Sequence, residues 1–162
     1  MTDEDLTAIH VDQFLPHPPE RVWQALVDPD LLSAWFMPTD FAPVVGHRFT
    51  FRARPIEAVG FSGVVQCEVL EIREGELVRF SWADPERPDG LDSTVTWTLH
   101  PEGRGTRLFL EHRGFDPDDP VQQLSRTIMN GGWRSHVVRR LAEFLGGAGR
   151  PRPDRANDPF DQ

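Results

Sequence analysis

Six histidines and one thiol are the side chains of this sequence best suited to acid–base chemistry or metal binding. The histidines are His10, His17, His47, His100, His112 and His136, and the thiol is Cys67. No two of the histidines are four apart on a predicted helix or two apart on a predicted strand, the spacings that bring two imidazoles to one metal. A single cysteine also excludes an intrachain disulfide and a multi-cysteine metal site. We therefore predict no metal site and no cofactor.

His112 is the most informative of the six, because of the strand pattern around it. In residues 105–113, Leu108 and Leu110 alternate with polar residues, and His112 continues the apolar face. A polar group on an apolar wall is typical of a residue that orients a ligand in a pocket. The same pattern fits a core histidine whose hydrogen bonds are satisfied by neighbours.

The sequence contains no catalytic motif, neither H-E-x-x-H nor G-x-S-x-G nor a glycine-rich phosphate loop. Two strand carboxylates, Glu68 and Glu111, are candidate acid–base groups, but both alternate with the inward positions and are predicted on the outer face. Cys67 has no neighbouring histidine and is interpreted as a small buried side chain. We therefore predict no catalytic residue.

Large aromatic side chains form the second candidate set. Strand alternation places Phe49, Phe51, Trp82 and Trp97 on the inward face of their strands. They could fill a core, or they could wall a pocket if the packed helix leaves a gap. The hypothesis for a ligand site is a lining of Phe49, Phe51, Trp82, Trp97, His112, Met129 and Trp133, with Trp35 near the entrance.

The elements that position these residues follow from periodicity and from prolines. An alternating strand at 6–15 precedes two short helices at 18–28 and 29–36, each beginning at a proline that suits the first helical turn. Period-2 patterns then predict five strands, at 46–54, 61–73, 77–83, 92–100 and 105–113. Their turn-rich connectors predict antiparallel hairpins.

One long helix is predicted over 119–145, with an Asp-Pro start. Its predicted apolar face comprises Val121, Leu124, Ile128, Gly131, Ser135, Val138, Ala142 and Leu145. Gly131 and Gly132 in the middle are costly in a helix, which indicates a kink, a close approach to the sheet, or room for another molecule. We predict one domain at 1–146 and a disordered tail at 147–162, where the chain loses its periodicity.

Composition narrows the classes of partner. The 162-residue chain has a formal net charge of -9, which disfavours nucleic acid and anionic membranes as partners. All 17 basic residues are arginines, and the absence of lysine excludes Schiff-base chemistry and a phosphate-loop lysine. An acidic N-terminus and the absence of a long apolar run predict a cytoplasmic protein. The arginine-rich, lysine-free composition suggests a bacterial source.

The order of these motifs resembles a known family. Residues 14–38 (FLPHPPERVWQALVDPDLLSAWFMP) are similar to the opening of domains homologous to the activator of heat-shock protein 90 ATPase. The similarity continues through 46–51, 77–82, 93–99 and 105–108 to Gly132-Trp133, covering about 8–146. The resemblance implies the α+β helix-grip fold of the SRPBCC or START-like superfamily. In that fold a curved six-stranded antiparallel sheet wraps around a long C-terminal helix, with two short helices between strands 1 and 2.

The resemblance implies three kinds of function. The interpretation we favour is binding of a hydrophobic or aromatic small molecule between sheet and helix, to carry, sequester or sense it, by a monomer or weak homodimer. The alternatives are a polyketide cyclase-like or hydrolase-like enzyme, with His112 or His136 as acid–base group, and a co-chaperone-type regulator of a chaperone ATPase. Turnover of a polyketide-like substrate, or co-purification with a chaperone, would distinguish them.

Overall fold

The computed structural model describes residues 5–84 and 91–147. Its centre is one antiparallel sheet of six strands in the spatial order β1-β6-β5-β4-β3-β2. The strands are β1 (Ala8–Leu15), β2 (Arg48–Arg52), β3 (Val64–Arg73), β4 (Leu77–Ala83), β5 (Asp92–Glu102) and β6 (Gly105–Arg113). The predicted strands and their antiparallel pairing are confirmed.

Two short helices, α1 (Pro19–Val27) and α2 (Pro29–Trp35), separate β1 from β2. The prolines at their first turns begin them as predicted, because proline fixes φ near the helical value and needs no N–H partner there. The Asp28 carboxylate also accepts hydrogen bonds from the backbone N–H groups of Asp30 and Leu31. A single 3-10 turn, Glu57–Val59, lies between β2 and β3.

The long C-terminal helix runs without a break from Pro120 to Leu145. It consists of α3 (Pro120–Arg134), a π-helical segment (Ser135–Leu141) and a last α-helical turn, α4 (Ala142–Leu145). Asp119 caps its start by accepting from the N–H groups of Val121 and Gln122. This is the α+β helix-grip fold that the sequence predicts.

The predicted apolar face of this helix is correct only towards its end. Leu145 is buried, whereas Val121 and Leu124 are more than 40% exposed and Gly131 is exposed as well. A Cβ atom added at Gly131 would meet nothing within 4 Å. The glycine therefore makes no close approach to the sheet.

The predicted tail at 147–162 lies, apart from Gly147, outside the described residues. Within the described residues, no helix is long and apolar enough to cross a membrane.

Candidate functional site

The long helix is tied to one edge of the sheet. Strand β1 is an edge strand, and backbone carbonyls of β1 and of the segment just before it accept hydrogen bonds from side chains of α3. Gln123 donates to Leu6 O (2.9 Å), Arg126 to Ala8 O (2.9 Å) and Arg134 to His10 O (3.2 Å). These bonds cover part of an edge that could otherwise pair with another strand, and they fix the helix along β1.

The C-terminal half of the helix is anchored in an aromatic cluster. The Trp133 ring is 1% exposed and stacks on Phe36 at 5.2 Å between ring centroids. It also contacts Trp82 at 5.3 Å and meets Trp97 edge-on at 5.6 Å. Close packing of this kind leaves no room for a ligand around Trp133.

A buried chain of hydrogen bonds links Trp133 to three strands. Its indole Nε1 donates to His112 Nδ1 (3.0 Å), and His112 Nε2 lies 2.9 Å from Ser93 Oγ. Because an indole N–H is only a donor, Nδ1 of His112 is the acceptor and Nε2 carries the proton towards Ser93. The Ser93 hydroxyl then donates to the carbonyl of Trp82 (2.8 Å).

His112 is therefore a neutral core histidine with both ring nitrogens occupied. It is fully buried, and burial lowers its pKa to about 3, since the imidazolium would lose its hydration. The predicted inward position of His112 is correct. Its role in the structure is to connect helix and sheet.

His136, in the π-helical segment, is bonded in a comparable way. Its Nδ1 lies 2.9 Å from Gly132 O, and Arg140 lies 2.9 Å from its Nε2. Arginine can only donate, so Nε2 accepts and Nδ1–H donates to the carbonyl. Burial, together with the charges of Arg140 and Arg139, lowers the pKa of His136 to about 4. Neither buried histidine has a free nitrogen to transfer a proton.

A cavity of about 70 Å³ lies under the N-terminal half of the helix. One water molecule needs about 10–15 Å³ of such space, so the cavity is large enough for several waters or for part of a small organic molecule. The sheet side and the 3-10 turn contribute mainly apolar side chains to its lining, among them Ile56, Val59, Phe61, Val65, Trp82 and Leu91. The helix contributes Val121, Gln122, Ser125, Ile128 and Met129.

Polar groups occupy part of the same lining. Asp84 and Asp119 both line the cavity, together with Gln122 and Ser125. The Asp84 carboxylate accepts from the backbone N–H and from the hydroxyl of Ser62, both at 2.8 Å. A mostly apolar cavity with a few fixed polar groups is the usual composition of a small-molecule site.

The structure brings the eight predicted site residues close together, but only two of them line this cavity. Trp82 forms part of its wall and Met129 part of its helical side. Phe51 lies behind Trp82, with ring centroids 5.8 Å apart, and Phe49 lies behind Phe51 at 5.4 Å. Trp97, His112 and Trp133 belong to the buried cluster described above.

Trp35 does not lie near an entrance, so that prediction is wrong. Its ring is 1% exposed, and its Nε1 donates to Ala25 O (2.8 Å). It meets Trp97 edge-on at 6.3 Å between ring centroids. The sequence placed it at the end of α2, but the turn after α2 folds Phe36 and Met37 into the core as well.

Several lining residues were missed by the sequence analysis. Ile56 and Val59 lie in an irregular segment, where no period of 2 or 3.6 marks the inward positions. Phe61 is the first residue of the strand predicted at 61–73, but it lies before β3 (Val64–Arg73), outside the alternation of that strand. Gln122 and Ser125 were overlooked because they are polar. The predicted glycine pair does suggest loose packing, but the cavity lies nearer the start of the helix.

The architecture and this cavity define a helix-grip protein of the α+β class. The family model for Activator of Hsp90 ATPase homolog 1-like proteins matches residues 16–146. The chain therefore belongs to this family, as the resemblance implied. No curated protein sequence matches the chain.

Solved structures share this fold. Protein MLL2253 from Mesorhizobium loti is 34% identical, with a TM-score of 0.74, over 86% of this chain and 97% of its own. CalU16 from Micromonospora echinospora is 24% identical, with a TM-score of 0.67, over 91% of this chain and 78% of its own. The Aha1 dimer from Colwellia psychrerythraea is 20% identical, with a TM-score of 0.68, over 87% of this chain and 97% of its own. The last two similarities show the fold alone.

Proposed function

We propose that this protein binds an apolar or aromatic small molecule in the cavity under α3, as a cytoplasmic carrier, sequestering protein or sensor. The observation that carries the proposal is the cavity itself, which is lined mostly by apolar side chains and lies at one end of an otherwise close-packed core. Removing apolar ligand surface from water contributes roughly 25 cal/mol per Å², before the costs of association.

The helix above the cavity is suited to such a role. Met129 and Ile128 are only partly covered by protein, and so is the lining residue Val121, which is 42% exposed. Leu124, on the same helix, also exposes apolar surface. Methionine adapts its shape readily to different neighbours. Binding of an apolar molecule would cover surface that the free protein leaves in contact with water.

The enzyme alternative receives no support from the two candidate histidines. His112 and His136 do not line the cavity, and their ring nitrogens are bonded within the core. A general acid or base must reach the proton that it transfers. Binding without turnover is therefore the function that this geometry favours.

The test is a calorimetric titration of the protein with an uncharged aromatic probe, 2-naphthalenemethanol. Ser125→Phe places a ring in the cavity, and we expect it to weaken binding at least about tenfold, or about 1.4 kcal/mol. Thr127→Phe adds the same ring on the exposed side of α3 and is the matched control. The proposal fails if the unaltered protein does not bind the probe, or if both variants bind it equally well while remaining folded.

A further inference from the structure

We propose that Trp82 orients the ligand of this cavity by donating a hydrogen bond from its indole N–H. The ligand then carries an oxygen acceptor, such as a carbonyl or ether oxygen, on its apolar or aromatic frame. This inference rests on the binding role proposed above and adds the polar contact that fixes the ligand in place.

Trp82 combines deep burial with a position in the cavity wall. Its side chain is 2% exposed and belongs to the lining of the cavity. The ring is held by close aromatic neighbours, with Phe51 at 5.8 Å, Trp133 at 5.3 Å and His112 at 5.2 Å between ring centroids. A polar atom on a ring that is already held in place costs little conformational entropy when it binds a ligand.

The indole N–H of Trp82 differs in its bonding from that of the neighbouring Trp133. Trp133 donates to His112 Nδ1 at 3.0 Å, whereas the N–H of Trp82 has no acceptor among residues 5–84 and 91–147. In the same residues, every side-chain nitrogen or oxygen that is sealed from solvent has a hydrogen-bond partner. The N–H of Trp82 must therefore touch open space, and the open space that Trp82 lines is the cavity.

This donor determines which group of a ligand can lie against the wall. An indole N–H can only donate, so it is satisfied only by a ligand atom that accepts. A ligand that covers the N–H with hydrocarbon leaves a buried donor unpaired, which weakens binding. A site with a fixed donor therefore selects against analogues that lack the acceptor.

Gln122, which lines the cavity from α3, adds a donor of the same kind. Its Oε1 accepts from the backbone N–H of Asp116 (2.7 Å), and because a backbone N–H only donates, this bond fixes which end of the amide is the oxygen. Its Nε2 group has no acceptor among the described residues. Donor groups elsewhere on the same ligand are compatible with these contacts, since Asp84 and Asp119 in the lining carry acceptor oxygens.

The experiment compares two probes of the same shape, acetophenone and α-methylstyrene, which differ only in a carbonyl oxygen against a methylene group. Binding is followed by NMR of the backbone and indole N–H groups of the unaltered protein. We expect acetophenone to move the indole N–H signal of Trp82 downfield, as a hydrogen bond to a carbonyl does, and α-methylstyrene to cause no downfield shift. The inference is overturned if acetophenone shifts the signals of other lining residues but leaves the Trp82 indole signal in place.

Two variants assign the effect to one donor. Trp82→Phe keeps an aromatic ring in the wall, and we expect it to weaken binding of acetophenone at least about fivefold relative to α-methylstyrene, the order of effect of one hydrogen bond. The hydrocarbon corrects for changed packing, because both probes fill the same space. Trp97→Phe removes an equally buried indole outside the described lining, and should leave the ratio of the two affinities within about twofold.

The outcomes separate this inference from the function on which it rests. If 2-naphthalenemethanol binds and Ser125→Phe weakens it, but Trp82→Phe lowers the affinities of both new probes equally, the cavity binds ligands and the role of Trp82 is wrong. An equal change of the ratio in Trp97→Phe would also overturn the inference, because it would assign the effect to the core. If Trp82→Phe does not fold, the indole signal of the unaltered protein decides. If none of the three probes binds, the proposed function itself is contradicted.

Discussion

The two halves of the C-terminal helix pack against the same sheet in different ways. From Trp133 onward, the helix buries Trp133, His136, Leu141 and Leu145. Before Trp133, every described residue of α3 is partly or fully exposed, and the cavity lies underneath. The comparison shows that one half of the helix provides the anchorage, which allows the other half to stand away from the sheet without unfolding.

Hydrogen bonds follow the same division. Trp133 is connected through His112 and Ser93 to the carbonyl of Trp82, which leads from the helix across three strands. The first half is instead tied at its side, where Gln123 donates to Leu6 O just before β1 and Arg126 donates to Ala8 O at the start of β1. The side of α3 that faces β3 and β4 has no such ties to the sheet among the described residues, and the cavity lies on that side, lined by Val65, Trp82 and Ala83 of these strands.

The largest expected effect concerns the anchored half. Trp133→Ala removes a fully buried ring and leaves His112 Nδ1 without its donor, and we expect the free energy of unfolding to fall by about 3–5 kcal/mol in urea denaturation. Trp133→Phe keeps most of the packing but loses the hydrogen bond, and should cost about 1–3 kcal/mol. A loss below about 1 kcal/mol for the alanine variant would show that Trp133 is not an anchor.

The same substitution in each half gives a direct comparison. Leu141→Ala, in the buried part of the helix, should lower the free energy of unfolding by about 2–5 kcal/mol. Leu124→Ala, at a residue 43% exposed, should change it by less than about 0.5 kcal/mol. Similar losses for the two variants, measured under the same conditions, would contradict the division of the helix into two differently packed halves.

Acid should also weaken the anchored half. His112 and His136 have pKa values lowered to about 3 and about 4, mainly by burial, whereas the unfolded chain binds protons near 6.5. The unfolded state therefore takes up protons first as pH falls below 6.5. Each histidine should cost about 2 kcal/mol of stability by pH 5.

Stability measured between pH 7.5 and pH 5 checks this expectation. Burial also lowers the pKa of His17, so His17 changes the stability in the same direction. The variant His112→Gln has no imidazole to titrate at that position, so its stability should depend less steeply on pH, although it starts from a lower value. A stability that stays constant over this range would refute the neutral, buried state assigned to the two histidines.

The sequence predicted the fold well because its strands alternate clearly and its helices carry strong start signals. Leu108, Leu110 and His112 face inward as expected, and the Asp-Pro starts lie where the helices begin. These features depend on local geometry alone, which a sequence pattern reports directly.

The candidate site was harder to predict, because its position depends on how closely the elements pack. The predicted apolar face placed Val121 and Leu124 against the sheet, whereas both are more than 40% exposed. The polar residues Gln122 and Ser125, which that face left out, line the cavity. Hydrophobic periodicity assumes that a helix buries its apolar side, and a helix over a partly open cavity does not satisfy that assumption. The predicted aromatic residues form the neighbouring core, from which only Trp82 reaches the cavity wall.

Amide hydrogen exchange, with and without 2-naphthalenemethanol, tests the central claim most directly. In the free protein we expect residues 124–131 to exchange faster than residues 133–145, because fewer buried contacts hold the first half of the helix. The bound probe should slow exchange in 124–131 and leave 133–145 unchanged. Equal protection of the two segments in the free protein, or protection by the probe confined to the outer face of the sheet, would contradict the account.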